Sequence, residues 1–294
     1  MNIRQALTGT GVAIVTPFNQ DLTVDFDALG TLIDHIITSG INYIVALGTT
    51  GETPTLSKEE KINIINFTFD KVNGRVPVVV GVGGNNTQHI VEELKTLPLE
   101  KAIAILSTAP YYNKPSQEGL YQHYKAIAEV APKPILLYNV PGRTGRNLEP
   151  ETTLRLAQLP NIAGIKEASN NFAQSIRLLM ERPDDFLVVS GDDDLAMPQV
   201  AAGMDGVISV AANAFPKEFS QMVQYALDNN AKEAAKINLQ LFDAYLLMFA
   251  ENNPAGVKSF LTQQGFIQNH LRLPLVPLSQ PVADKIKAYL QKEK

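Results

Sequence analysis

Cysteine is absent from the 294 residues. Its absence excludes disulfides, thiolate nucleophiles and thiolate metal sites, and it suits a chain that works in a reducing cytosol. No stretch concentrates lysine and arginine: 25 basic residues are spread against 30 acidic ones, for a net charge of −5, so no nucleic-acid partner is expected. Long apolar runs are missing too. The most apolar long region, Leu195 to Phe215, is interrupted by Pro198, Gln199, Asp205 and Asn213 and cannot span a bilayer. The opening segment, MNIRQALTGTGVAIVTPF, lacks the basic n-region, long h-region and cleavage site of a secretory signal. A cytoplasmic protein without membrane contact is therefore expected. The four histidines (His35, His89, His123 and His270) show no metal-ligand spacing, which argues against a zinc-dependent aldolase. There is no GxSxG elbow and no P-loop, and GVGGNN at Gly81 does not make a GxGxxG fingerprint.

Apolar residues make up 45% of the chain, ample for a large core. Short β-rich runs alternate with longer amphipathic stretches. The expected strands are Val12–Thr16, Tyr43–Leu47, Val78–Val82, Ala102–Ser107, Ile135–Tyr138, Ile162–Lys166, Phe186–Ser190 and Gly206–Val210. Each is nearly continuous in Val, Ile, Leu and Ala, as suits parallel strands buried on both faces. Helices are expected over Phe26–Ser39, Lys58–Lys71, Thr87–Thr96, Gln117–Val130, Pro150–Gln158, Phe172–Arg182, Leu195–Ala202 and Pro216–Leu227, with Ser57, Ser116 and Asn171 as caps. Such even strand–helix repeats predict an α/β fold, a (β/α)8 TIM barrel over residues 1–227, in preference to a doubly wound open sheet. After Leu227 the strands stop. Ala231–Ala250, Ala255–Gln264 and Val282–Gln291 read as helices of a C-terminal helical appendage, residues 228–294. The first carries Ile237, Leu241, Tyr245 and Met248 on one face, which should pack on something.

In such a barrel the active site lies at the C-terminal strand ends. The expected strand ends carry GTTGE (Gly48–Glu52), STAPYYNKP (Ser107–Pro115), YNVPGRTG (Tyr138–Gly145), Lys166 and SGDDD (Ser190–Asp194). Lys166 closes an otherwise apolar run. It is either a strand-end lysine whose stem packs while its amine reaches solvent, or an amine inside the barrel mouth. In a two-residue repeat it shares a face with Gly164 and Ile162. If that face points inward, burial favours a neutral amine, which attacks a carbonyl and forms a Schiff base. Tyr138 is a packing residue or, beside such a lysine, a phenol able to shuttle protons. GTTGE is an ordinary turn or a carboxylate cradle of hydroxyls and backbone N–H groups. Arg143, in a Gly-rich loop expected to be flexible, is solvated or holds a substrate carboxylate by a bidentate pair. SGDDD is read as acids capping a helix rather than as a metal site.

These segments, with PYYNKPSQEGL, GIKEAS, GVISVAAN, NPAGVK and LRLPLVPLS, resemble the dihydrodipicolinate synthases, within the superfamily of pyruvate-dependent Schiff-base lyases that also holds N-acetylneuraminate lyase. The resemblance runs from about Gly9 almost to the C-terminus. It implies a lyase that condenses pyruvate with L-aspartate 4-semialdehyde on the route to lysine and diaminopimelate, with neither metal nor organic cofactor. Residue by residue, it implies that Lys166 forms the Schiff base and that Tyr138 relays protons. Thr49 would link Tyr138 to Tyr112, which reaches in from a neighbouring copy. Thr49, Thr50 and the Gly191 and Ile208 backbones would bind pyruvate, and Arg143 the carboxylate of the aldehyde. It also implies a homodimer, often paired into a homotetramer. The GRTG pattern favours the synthase over a sugar-acid lyase, which remains the alternative. At the family's lysine-binding regulatory site the positions are Asn85, Tyr111, His89 and Lys61. There His89 replaces the usual acidic residue and Lys61 a frequent histidine, so weak or absent feedback by lysine is expected.

Overall fold

In the computed structural model, residues 2–292 are described. Met1, Glu293 and Lys294, at the outer ends of the two expected regions, lie outside them. Eight parallel strands close into one barrel in sequence order. They are β1 (Gly9–Ala13), β2 (Tyr43–Ala46), β3 (Val78–Gly81), β4 (Ala104–Thr108), β5 (Ile135–Asn139), β6 (Ile162–Glu167), β7 (Leu187–Ser190) and β8 (Gly206–Ser209). Nearly every strand residue is buried, because one face meets the barrel interior and the other a ring of helices. The alternation sorts the side chains into two cores. Val45, Val79, Leu106, Leu136, Leu187, Val189 and Ile208 fill the barrel. Ile44, Val78, Val80, Ile105, Leu137, Ile165, Val188 and Val207 face the helices. At the bottom, the Tyr43 ring crosses beneath β1 so closely that a Cβ on Gly11 would lie 2.1 Å from it, which only glycine permits.

Two strands depart from their expected extents by more than one residue. β1 begins at Gly9 and ends at Ala13, so the Ile14–Thr16 stretch runs beyond it into the mouth. β4 starts at Ala104 and includes Thr108. A larger departure lies in β6. Ile135 pairs with Ile162, yet Leu136 pairs with Gly164, so the register shifts by one residue. The bulge breaks the two-residue repeat. Ile162 therefore joins the outer core with Ile165, while Gly164 packs towards Leu187 and Leu136 inside. Ile162 and Lys166 do not share a face, contrary to the expectation. Lys166 points inward because the bulge turns Gly164 and Lys166 there together.

The helices are α1 (Ile3–Ala6), α2 (Phe26–Thr38), α3 (Lys58–Val72), α4 (Thr87–Thr96), α5 (Gln117–Val130), α6 (Pro141–Thr144), α7 (Pro150–Leu156), α8 (Phe172–Glu181), α9 (Ala196–Ala201), α10 (Pro216–Leu227), α11 (Ala231–Phe249), α12 (Ala255–Gln263) and α13 (Gln280–Lys292). The expected caps form: Ser57 and Glu60 make a reciprocal capping box, Ser116 accepts from the Gly119 amide, and Asn171 from that of Gln174. SGDDD does not cap α9, whose N-cap is Leu195 with no side-chain bond. Arg143 sits in the single-turn α6, with Pro141 at its start, rather than in a loop.

Helix α11 buries Leu241, Tyr245 and Met248 and packs chiefly on α10. Opposite them Leu239, Phe242, Leu246 and Phe249 remain exposed at helical spacing. Helix α12 then reaches back to the barrel mouth. Lys258, wholly buried, pairs with the equally buried Glu52 at the end of GTTGE and also donates to the His270 carbonyl at 2.9 Å. The Arg272 amide donates to the second Glu52 oxygen at 3.1 Å. Lys258 Nζ and the Arg272 guanidinium lie 4.3 and 4.5 Å from the Phe18 ring centroid. The pair staples α12 to the turn that carries Thr49 and Thr50. Burial pushes the Lys258 ammonium down to about 8 against the pull of Glu52. Removing one partner strands a buried charge. Lys258→Met is expected to lower the unfolding free energy by about 3–5 kcal/mol, read from the denaturant midpoint. A loss below about 1 kcal/mol, the range of a surface pair, would show that Glu52 needs no ammonium.

Candidate active site

The mouth of the barrel holds a cavity of about 210 Å³. Lys166, Tyr138, Thr49, Thr50, Arg143 and Gly191 all line it, so one space brings together six of the expected site residues. Tyr138 and Lys166 are paired directly across β5 and β6. Lys166 is 4% exposed and its Nζ lies 4.3 Å from the Tyr138 ring centroid. Among the described residues, neither the Thr49 nor the Tyr138 hydroxyl has a hydrogen-bond partner, so both are available to a ligand in the cavity.

The next register pair, Asn139 with Glu167, anchors the two strands from behind. The Asn139 amide donates to both Glu167 oxygens at 3.2 and 3.1 Å. Gln174 and the Ser169 amide donate to the same carboxylate at 3.1 and 2.8 Å. Burial raises the Glu167 carboxyl, opposed by these hydrogen bonds. Four hydrogen bonds from three donors on one fully buried carboxylate hold the β5 and β6 ends, and with them Tyr138 and Lys166, in place.

Gly191 is required by closeness. A Cβ there would lie 2.7 Å from Lys166 Cε and 2.7 Å from Ala168 Cβ, so the lysine stem passes over bare backbone. Thr49 to Gly51 form a 3-10 turn, and Thr16 donates to the Gly51 carbonyl at 2.8 Å. Arg143 reaches across the mouth and donates to the Asn253 carbonyl at 3.3 Å. The Asn253 amide donates to Thr50 Oγ1 at 3.1 Å. This buried asparagine, between α11 and α12, joins the threonine turn to the arginine. NPAGVK carried no local signal that Asn253 belongs to the site, because its role arises from a contact spanning two hundred residues of sequence.

Two further expected residues do not line this cavity. Ile208 lies wholly buried in the inner core, and Val210 is the residue beyond β8 that lines the cavity. Tyr112 is 88% exposed with a left-handed φ of 74°, pointing out of its own chain's cavity. In SGDDD, Asp193 accepts from the Val210 and Ala211 amides at 3.1 and 2.8 Å, securing the turn after β8. Burial pushes its carboxyl up to about 6. Asp192 lines the cavity. Among the described residues no group of three or more His, Asp or Glu side chains is placed to hold a metal ion, and no helix is long and apolar enough to cross a membrane.

An adjoining cavity of about 470 Å³ shares Thr49, Tyr138 and Arg143 with the first and extends past Asn85, Tyr111, His89 and Lys61. The Asn85 amide donates to the Tyr111 carbonyl at 3.3 Å. The basic side chains there are not alone. Glu93, one turn beyond His89 on α4 and mostly buried, pairs with Lys61 at 2.7 Å and stands 3.8 Å from His89 Nε2. The sequence reading missed this carboxylate because its partner Lys61 comes from another helix, α3.

Comparison with known proteins agrees with this fold. The model of the dihydrodipicolinate synthetase family matches residues 6–293. A 4-hydroxy-tetrahydrodipicolinate synthase of Parabacteroides distasonis is 52% identical over 286 residues, covering 97% of this chain and 96% of that protein. The crystal structure of a dihydrodipicolinate synthase from Thermotoga maritima superposes with a TM-score of 0.94 at 40% identity, covering 98% of both chains. One from Acinetobacter baumannii, complexed with pyruvate, gives a TM-score of 0.94 at 42% identity, covering 97% of this chain and 98% of that one. The chain belongs to the dihydrodipicolinate synthetase family.

Proposed function

We propose that this chain, a lyase of that family, condenses pyruvate with L-aspartate 4-semialdehyde to 4-hydroxy-tetrahydrodipicolinate, the reaction after which its relatives are named. The carrying observation is the inward lysine: Lys166 lies buried against the Tyr138 ring in the same cavity as Thr49, Thr50 and Arg143. An amine in that position attacks the pyruvate keto carbon and loses water to give the imine. Tyr138, paired with Lys166 across the strands, carries the protons that dehydration requires. Thr49, Thr50 and the Gly191 backbone receive the pyruvate carboxylate. The Ile208 backbone, on β8, is the remaining pyruvate position of this reading. Loss of a methyl proton gives an enamine, whose carbon attacks the aldehyde held through its carboxylate by Arg143. The substrate amine then closes on the imine carbon and releases Lys166.

The barrel over residues 1–227 is the catalytic unit in this reading. The helices of residues 228–294 brace its mouth through Asn253 and Lys258. Tyr112 completes the relay in the cavity of a second copy of the chain, which accounts for a large aromatic left exposed on a left-handed backbone. The exposed stripe Leu239, Phe242, Leu246 and Phe249 supports self-association as a homodimer or homotetramer. The reading includes a cytoplasmic location, with neither metal nor organic cofactor and no nucleic-acid partner.

Purified protein is expected to consume pyruvate when offered L-aspartate 4-semialdehyde and not when offered N-acetylmannosamine. Lys166→Ala is expected to abolish both turnover and borohydride trapping of pyruvate. Consumption with the sugar alone would overturn the synthase reading in favour of a sugar-acid lyase. Tyr112→Phe is expected to lower kcat by ~100-fold, the scale of general acid–base catalysis, with the fold intact by circular dichroism. Unaltered turnover would remove Tyr112 from the relay. At the adjoining cavity, Lys61 already occupies the Glu93 carboxylate, so a ligand ammonium finds no free anion there and weak or absent feedback by lysine is expected. Inhibition by lysine at or below about 1 mM, ~4 kcal/mol of binding, would contradict this.

A further inference from the structure

Resting on the synthase reading, the cavity leaves one substrate group without a named partner. L-aspartate 4-semialdehyde brings an aldehyde, a carboxylate and an α-ammonium group. The cavity presents two basic side chains, Lys166 and Arg143, and one acidic side chain, Asp192. An ammonium beside either basic group is repelled, and one buried without a partner is costly. We infer that Asp192 is a specificity-determining residue that receives the α-ammonium of the aldehyde substrate while Arg143 takes its carboxylate.

The local structure suits that role. The Asn170 amide donates to Asp192 Oδ2 at 3.2 Å, which orients the carboxyl. Among the described residues Oδ1 has no hydrogen-bond partner. Ser190 Oγ and the Leu195 amide both donate to the Asp192 backbone carbonyl, so the residue is held through its main chain while its carboxyl meets the cavity. Neighbouring Asp193 is spent on the Val210 and Ala211 amides. The adjoining cavity does not offer a substitute either, since its carboxylate, Glu93, is paired with Lys61. The α-carbon is then held by both of its charged groups, the ammonium on Asp192 and the carboxylate on Arg143, and the aldehyde carbon at the far end of the chain is left for the enamine on Lys166. That arrangement selects the L-configured amino aldehyde over a neutral aldehyde of the same length.

The carboxyl is also tuned. Burial pushes Asp192 up to about 7; Asp194 and Glu167 add to the rise, and Lys166 opposes it. Arg143 lines the same cavity. The sign follows directly. A raised carboxyl is neutral below about 7, so the anion that receives the ammonium is present above that pH and lost beneath it. In the free enzyme this gives kcat/KM for the aldehyde an acid limb near 7.

The test compares wild type, Asp192→Asn and Asp192→Glu by steady-state kinetics in both substrates, with borohydride trapping of pyruvate as a separate readout. Asp192→Asn is expected to raise KM for L-aspartate 4-semialdehyde by ~10–100-fold, the worth of a charge-assisted hydrogen bond, and to remove the acid limb. KM for pyruvate and trapping are expected to stay unaltered, and Asp192→Glu to recover part of the loss. An Asn variant with wild-type KM for the aldehyde would overturn the inference, as would an equal rise in KM for both substrates. If wild type traps pyruvate yet never consumes the aldehyde, the synthase reading itself fails and takes this inference with it.

Discussion

The one-residue offset of β6 against β5 governs the chemistry of the whole mouth. With Ile135 opposite Ile162 and Leu136 opposite Gly164, Ala163 is passed over in the ladder and every later residue of β6 is turned. Without that extra residue a regular repeat would place Ile162, Gly164 and Lys166 on one face. The largest apolar member of that set would then compete with the lysine for the interior. The bulge separates them: Ile162 goes to the helices, and the lysine goes to the cavity beside Tyr138. Bulges gather at barrel rims and active sites because they re-aim a side chain. Gly191 then supplies the space through which the lysine stem passes.

A lysine inside a barrel requires a rigid surround, and here the rigidity comes from satisfied buried charges. The Glu167 carboxylate accepts four hydrogen bonds from three donors behind β5 and β6. The Glu52–Lys258 pair ties the threonine turn to α12. Arg272 extends the same network by donating to Glu60 and to the Leu22 carbonyl, and its hydrogen bonds hold the Glu60 carboxyl down to about 2. Each element alone would strand a costly charge. Together they make the C-terminal helices part of the mouth, which is why Asn253 can join Thr50 to Arg143.

The same contrast separates the two cavities at the mouth. Around Lys166 the carboxyl of Asp192 remains partly unspent, with a single backbone donor. In the adjoining cavity Glu93 is occupied by Lys61 and approached by His89. Two cavities that share Thr49, Tyr138 and Arg143 therefore offer a ligand ammonium different receptions, through pairing rather than through the count of charges.

The linear order of residues determined the alternation of strands and helices, the caps at Ser57, Ser116 and Asn171, and the placing of GTTGE, Tyr138, Arg143 and Lys166 at strand ends. These are local matters of periodicity, turn chemistry and hydrogen bonding within a few residues. The motif resemblance added roles that periodicity does not carry. Tertiary structure decided what depends on register and distance. It turned Lys166 inward by a bulge no propensity signals. It set Arg143 in a helical turn, and spent Asp193 on the turn after β8 instead of a helix cap. It paired Lys258 with Glu52 and Lys61 with Glu93, and it placed Ile208 beneath the cavity and Tyr112 outside it. Whether a charge is free, paired or buried depends on partners far away in the chain, and only the closed barrel brings those partners within reach.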